Sequence, residues 1–294
     1  MSKFASMSFA VGTAVFASGL IGGAAAQAPG ATPDFSSGET AWRSRGGIIF
    51  TPVPGAPAPT GNEATHPYIH NVDAAALGVE PTFRISDLTN PNIKQWAKDI
   101  MKKDNDEVLA GKIAYTPGSS CRPYGVPAIW NSGGPFFFVQ TPKEVVIINQ
   151  GDQEPRHVYM NVPHSANLKP SYYGESIGHY EGDTLVIDTV GMNDKTFADN
   201  FRTPHTEKMH VIERIRKVEG GKFLEIHVTA DDPDTFVQPW QGTKRFNIST
   251  GSARGEAEEG HAGMAEVICQ EGNLTANNLK SVNYNVPVAG KPDF

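Results

Sequence analysis

One carboxylate, Asp188, sits midway along DTLVIDTV (Asp183–Val190), among residues that are otherwise apolar or hydroxylated apart from Asp183 at its start. Read as a strand, this run sends Thr184, Val186, Asp188 and Val190 to one face and Leu185, Ile187 and Thr189 to the other. A carboxylate in such company is costly to bury alone, so Asp188 is either a hydrogen-bonding hub or part of a site. A second acid stands in HTEKMHVIERIR (His205–Arg216). There Val211, Glu213 and Ile215 share one strand face, while His210, Ile212 and Arg214 share the other. If the Val211 face lines a cavity, desolvation raises the Glu213 pKa toward that of a general acid or base. The competing reading pairs Glu213 with an arginine such as Arg214 or Arg156 in a structural ion pair.

Groups that move protons or hold oxygen stand near these acids in the sequence. His205 follows Pro204 and His164 follows Pro163. Each titrates near neutral pH, which suits a proton shuttle at a cavity mouth and equally a solvated loop position. Tyr172 can donate its phenol to a developing oxyanion; core packing is the alternative for it and for Tyr173. The catalytic candidates are thus Asp188, Glu213, His205, His164 and Tyr172. Arg156, Tyr173, His210 and Trp240 are candidates for holding substrate, Arg156 through an anionic or carbonyl oxygen.

Other chemistries lack their residues. Glu225 and His227 share a strand face opposite Leu224, Ile226 and Val228, the ordinary pattern of outward polar and inward apolar side chains. His66 and His70 have helical spacing, but Pro67 lies between them in a Pro-rich stretch. HExxH, facial-triad and CxxC spacings are absent, so no metal site is expected. Gly174-Glu175-Ser176-Ile177-Gly178 matches GxSxG in letters but leads into a turn and another strand, not the strand-to-helix elbow that exposes a nucleophile. Walker and Rossmann fingerprints are missing as well, and no organic cofactor is expected. Net charge is −7 with no dense basic cluster, which excludes nucleic acid as a partner.

The chain begins with Lys3, an apolar run from Phe9 to Ile21, and Ala24-Ala25-Ala26. This reads as a signal peptide over residues 1–26, cleaved near Gln27, and places the mature chain in the periplasm or outside the cell. No later segment is long and apolar enough for an integral membrane span. About 265 residues then remain, enough for one large domain or two small ones. The two cysteines, Cys121 and Cys269, are expected to pair in an oxidising compartment. On the chain-entropy model such a bridge contributes about 4–5 kcal/mol.

Residues 27–89 read as a Pro/Gly-rich extended lead-in and residues 90–120 as a helical segment. In that segment Ile93, Trp96, Ala97 and Ile100 form an amphipathic stripe, with Asn90 as cap and Pro91 at the first helical position. From Cys121 the pattern changes to period two. Strands are expected in PFFFVQTPKEVVIINQ, RHVYMNV, DTLVIDTV, KMHVIERIRKV, KFLEIHVTA, KRFNIST and AEVICQE, the fourth and fifth joined at Gly220-Gly221. Many short strands after one helix predict a mainly β fold, an antiparallel lipocalin-like barrel over residues 121–294. A two-sheet sandwich is the alternative. Met192–Pro204 and Asp231–Gly242 exceed hairpin length and are candidate flaps over a barrel mouth.

Seven motifs occur in a fixed order: CRPYGVPAIW, FVQTPKEVVII, RHVYMN, PSYYGESIGHYEGDTLVIDTVGMND, PHTEKMHVIERIR, DDPDTFVQPW and EVICQE. Together they resemble a large family of secreted bacterial β-rich proteins of unassigned function, over roughly Cys121 to Glu271. The resemblance implies a shared β-rich fold and carries over no activity. His179 stands where the family pattern has arginine, and Asn161-Val162-Pro163-His164 where it has a shorter polar turn, so a site near His164 is not implied by the resemblance.

These readings lead to a periplasmic, cofactor-independent enzyme that uses acid/base chemistry on a small, largely apolar organic molecule held in a barrel cavity. Elimination, hydration or isomerisation fits that chemistry. The alternatives are a non-catalytic lipocalin-like carrier, a hydrolase, and a structural envelope protein with a filled barrel. The sequence is silent on oligomeric state.

Overall fold

A computed structural model describes residues 32–36, 41–45, 49–66, 85–110, 116–132, 134–152 and 154–249. The expected signal segment and the strand over AEVICQE lie outside these residues. In chain order the strands are β1 (Ala41–Arg45), β2 (Thr51–Pro52), β3 (Phe136–Gln140), β4 (Glu144–Asn149), β5 (Arg156–Met160), β6 (Glu175–Glu181), β7 (Thr184–Val190), β8 (His210–Val218), β9 (Phe223–Asp231) and β10 (Trp240–Ser249). Among the described residues one α-helix, α1 (Gln95–Leu109), precedes β3.

The strands follow one another around a ring from β3 to β10. β1 closes it, pairing with β10 from Ala41↔Ser249 to Arg45↔Arg245 and with β3 at Trp42↔Phe136. Nine strands therefore form a barrel, and β2 adds a short flap on β10. Closure excludes the two-sheet sandwich. It also draws β1, from the segment read as a lead-in, into the barrel wall.

The barrel is mixed rather than purely antiparallel. β5 and β6 run parallel, with Val158 opposite Ser176 and Met160 opposite Gly178. The reason is the connection: residues 161–174 carry the chain back past β5 before β6 begins, where a tight hairpin would reverse it. The other expected hairpins form, including β8–β9 around Glu219, Gly220 and Gly221, all at positive φ.

Alternation sorts each strand into an inner and an outer face. On β5, Arg156, Val158 and Met160 are buried, while His157 and Tyr159 are exposed. On β7, Leu185, Ile187 and Thr189 are fully buried, and Asp188 lies on the opposite, outer face. The interior is filled by large side chains. Trp42, Trp130, Phe136, Phe138 and Phe246 are between 0% and 4% exposed. Trp130 enters from the 3-10 turn Ala128–Asn131, its ring 5.0 Å from Phe136 and 5.9 Å from Phe246.

α1 presents a different face from the one its sequence suggests. Ala97, Met101, Asn105 and Val108 are buried, whereas Trp96 and Ile100 are exposed. Asn105 decides the rotation: its amide oxygen accepts from the Ser86 N–H and hydroxyl, both at 2.9 Å, and its nitrogen donates to the Ser86 carbonyl. The helix also starts later than expected. Asn90 closes a turn by accepting from the Asn92 N–H at 2.9 Å, and the residue before the first helical turn is Lys94.

Two features of this frame give direct predictions. Gly174 leads into β6 at φ +62°, and a Cβ there would lie 2.3 Å from the Val190 carbonyl oxygen. Gly174→Ala is expected to destabilise by about 2 kcal/mol or more, read as a lower denaturation midpoint at unchanged slope. Lys244 is 3% exposed on the inner face of β10, where its Nζ donates to the Ile49 carbonyl. Burial pushes its pKa down to about 8 from 10.5. The unfolded chain then binds more protons than the folded one between those values, so stability rises with pH across that window. Lys244→Met should flatten the rise and stabilise at pH 7 by up to about 3 kcal/mol, measured by denaturation at several pH values.

Candidate functional site

The sequence-derived candidates fall into two constellations on opposite faces of the same strands. The inner one is built on Arg156 and Glu213, each fully buried. Arg156 Nη1 donates to Glu213 Oε1 at 2.9 Å, and Nη2 donates to Oε2. The guanidinium also reaches Thr189 Oγ1 at 2.9 Å and Ser176 Oγ at 3.1 and 3.2 Å. Trp130 Nε1 donates to Glu213 Oε1. Every strong hydrogen-bonding group of the pair is thus engaged by protein.

This corrects two expectations. Glu213 is not a desolvated lone carboxylate poised for proton transfer, because a guanidinium neutralises it. Arg156 is not turned toward a substrate, because β8 brings Glu213 to it. Ser176 of the GxSxG letters belongs to the same buried network, within β6 and ahead of strand β7.

Three further candidates are structural. His205 is 3% exposed, its Nδ1–H donating to the Thr206 carbonyl at 3.0 Å and its Nε2 accepting from Thr196 at 2.8 Å. Burial lowers its pKa, which favours this neutral, locked ring over a shuttle at a mouth. Tyr173 is buried and donates its hydroxyl to Asp152 Oδ2; burial first, and the Asp152 charge next, push the phenol well above its ordinary value. Trp240 packs in the core against Phe50 and Phe236. Tyr172 is half-buried and joins neither constellation. Cys121 follows the 3-10 turn Pro117–Ser120 at φ +54°, and Cys269 lies outside the described residues.

The outer constellation gathers Asp188, His164 and His210, and adds Glu175 and Ser165. Asp188 Oδ1 is 2.8 Å from His210 Nε2 and 3.1 Å from His164 Nε2. His164 Nδ1 lies 3.0 Å from Glu175 Oε1, which also accepts the Ser165 N–H at 2.7 Å. Ser165 Oγ donates to Glu175 Oε2. Burial pushes the Glu175 carboxyl up, but the Ser165 hydroxyl and amide and the His164 ring outweigh it and hold it below the ordinary glutamate value.

Strand register sets this arrangement. Asp188 is flanked by Ile177 on β6 and Ile212 on β8, and Glu175 pairs with Val190 on the same outer face. His210 opens β8, one strand across from Asp188. The connection that makes β5 and β6 parallel carries His164 over the β6–β7 pair, anchored where the Asn161 N–H donates to the Gly178 carbonyl at 2.8 Å. Ile177, Val190 and Ile212 are half-buried and give the site an apolar floor. Side-chain exposure is 36% at Asp188, 23% at His164 and 45% at His210, so a small molecule reaches all three.

Glu175 and Ser165 were the residues that alternation alone did not find. The Glu181-Gly182-Asp183 turn carries the missing signal, since counting back from it places Glu175 opposite Val190, diagonal to Asp188. Glu225, by contrast, is an outward group held by Arg216 at 2.9 Å and Arg245 at 2.7 Å, as its strand pattern suggests. Among the described residues, no group of three or more His, Cys, Asp or Glu side chains is arranged to hold a metal ion. In the outer constellation both Nε2 atoms turn protons, not lone pairs, toward the carboxylate. No helix among the described residues is long and apolar enough to cross a membrane. The chain matches no family model, no curated protein and no solved structure.

Proposed function

We propose that this protein is an acid/base enzyme of the periplasm or cell exterior, acting without an organic cofactor on a small, largely apolar organic molecule by elimination, hydration or isomerisation. The single observation that supports this is Asp188 Oδ1 holding both His164 and His210 on an accessible, apolar-floored face. With Nε2–H donated to Asp188, His210 presents Nδ1 as a lone pair to solvent. That nitrogen is the base: it takes a proton from a carbon or hydroxyl of the substrate, and the Asp188 carboxylate steadies the imidazolium that forms. Glu175 and Ser165 fix His164, and His164 fixes Asp188, so the base is oriented before the substrate arrives. This places the chemistry on the outer face of β6–β8 instead of in the barrel interior.

The carrier reading requires an interior void. The aromatic side chains that fill the ring, each 4% exposed or less, do not favour it. Hydration takes a proton from solvent, and elimination and isomerisation hand one to a base that exchanges with solvent and can return it, so one experiment reads all three. The purified protein is incubated in D2O with a panel of small carbonyl compounds and alcohols, and deuterium incorporation is followed by mass spectrometry. Wild type is expected to label at least one compound, and His210→Gln to label it at least about 100-fold more slowly. Equal labelling by His210→Gln, or no labelling of any compound, rejects the reading.

A further inference from the structure

We infer that the Asp188 site selects ligands that carry a protonated amine on an apolar body, an inference that rests on the reading of this face as the substrate site. Donors and acceptors at the site do not balance. His164 has a carboxylate oxygen at each ring nitrogen, 3.0 Å from Glu175 and 3.1 Å from Asp188. An ionised carboxylate only accepts, so this geometry is satisfied in full only when His164 donates from both nitrogens. Ser165 spends its N–H and its hydroxyl on Glu175. His210 spends its Nε2–H on Asp188.

The side-chain donors of the cluster are then all consumed, while two acceptors remain open: Asp188 Oδ2 and His210 Nδ1. A ligand that binds here must bring the protons. Charge points the same way. Asp188 and Glu175 are two carboxylates with a single imidazole between them, which offsets at most one of their charges, and Asp231 stands opposite His210 on β9. On the same face of β8 Arg214 is committed to Glu181 at 2.5 Å, and just before the strand Lys208 to Asp234 at 2.8 Å. An ammonium meets an open carboxylate oxygen. Ile177, Val190 and Ile212 beside that oxygen supply the contact for an alkyl or aryl body.

The test is an amide NMR titration of the full chain with two probes of like shape and opposite charge, phenethylammonium and 3-phenylpropionate. Phenethylammonium is expected to shift Ile177, Asp188, His210 and Ile212 saturably, and to bind wild type at least tenfold more tightly than 3-phenylpropionate does. Asp188→Asn should weaken the amine at least tenfold. Ile212→Arg, which replaces no member of the cluster but sets a cation directly across from Asp188, should remove amine binding and admit the carboxylate. Equal binding of the two probes, saturation elsewhere on the barrel, or no saturable shift with the amine overturns the inference. Amine binding without deuterium exchange leaves the inference standing and removes the enzyme reading; exchange on neutral compounds without amine binding does the reverse.

Discussion

Glu213→Gln is expected to lower the stability of the barrel by about 3–5 kcal/mol, the usual cost of leaving a buried charge without its partner. For a protein of this size that corresponds to a fall in Tm of about 10 °C or more. Arg156 and Glu213 are both fully buried, and the guanidinium loses its only close carboxylate among the described residues in the variant. Ser176, Thr189 and Trp130 cannot compensate, since hydroxyls and an indole N–H carry no charge. Arg156→Leu should be as damaging in the opposite sense, leaving Glu213 ionised or forcing it to take up a proton. The double replacement Arg156→Leu/Glu213→Leu removes both desolvation costs at once and is expected to fold better than either single variant. A thermal-denaturation cycle over the four proteins measures the coupling. Tm changes under about 2 °C for both single variants would mean that the pair is not what holds the inner faces together.

Asp188→Asn should act on the other face and in the other currency, leaving Tm within a few degrees while removing turnover. The carboxylate is partly exposed, so its loss strands no buried charge. It does remove the acceptor shared by His164 and His210. An amide at this position offers an NH2 as readily as an oxygen, so the His210 ring is free to flip and turn Nε2 outward. A base held in the wrong tautomer is a common way to lose two to four orders of magnitude in rate, so labelling in D2O should fall by about 10²–10⁴. Glu175→Gln, one step further from the base, should cost less. A variant that unfolds, or one that labels at the wild-type rate, would contradict this division between the two faces.

The contrast between these two acids shows where sequence reading reached its limit. Period two correctly separated Asp188 from Leu185 and Ile187, and Glu213 from His210 and Ile212. Alternation does not say which face of a strand turns inward when both are partly apolar. Placing Asp188 and Glu213 in one cavity required both faces to be the inner one, and the structure assigns them oppositely. The Arg156–Glu213 contact was legible as one of two pairings but not decidable, because it depends on how β5, β6, β7 and β8 curl toward each other. The helix shows the same limit: Trp96 and Ile100 are apolar, yet the polar Asn105 fixes the buried face through Ser86. His164 was visible as a loop histidine, but its position over Asp188 follows from the parallel β5–β6 pairing, which no local pattern announces. β1 was hidden for a different reason, since a short strand in a Pro/Gly-rich stretch has no periodicity to detect.

The seam between β1 and β10 joins residue 41 to residue 249, nearly the two extremes of the described chain. A ribosome or a translocation pore releases the first of these long before the last. Until Ile248 emerges, Trp42 lacks its partner on β10 and the wall stays open along one edge, exposing the aromatic side chains that will fill the centre. Contacts between such distant positions are slow to form, because the intervening chain must first be ordered. Closure of the barrel therefore waits for β10, and the open precursor is the species on which chaperones, proteases and self-association compete.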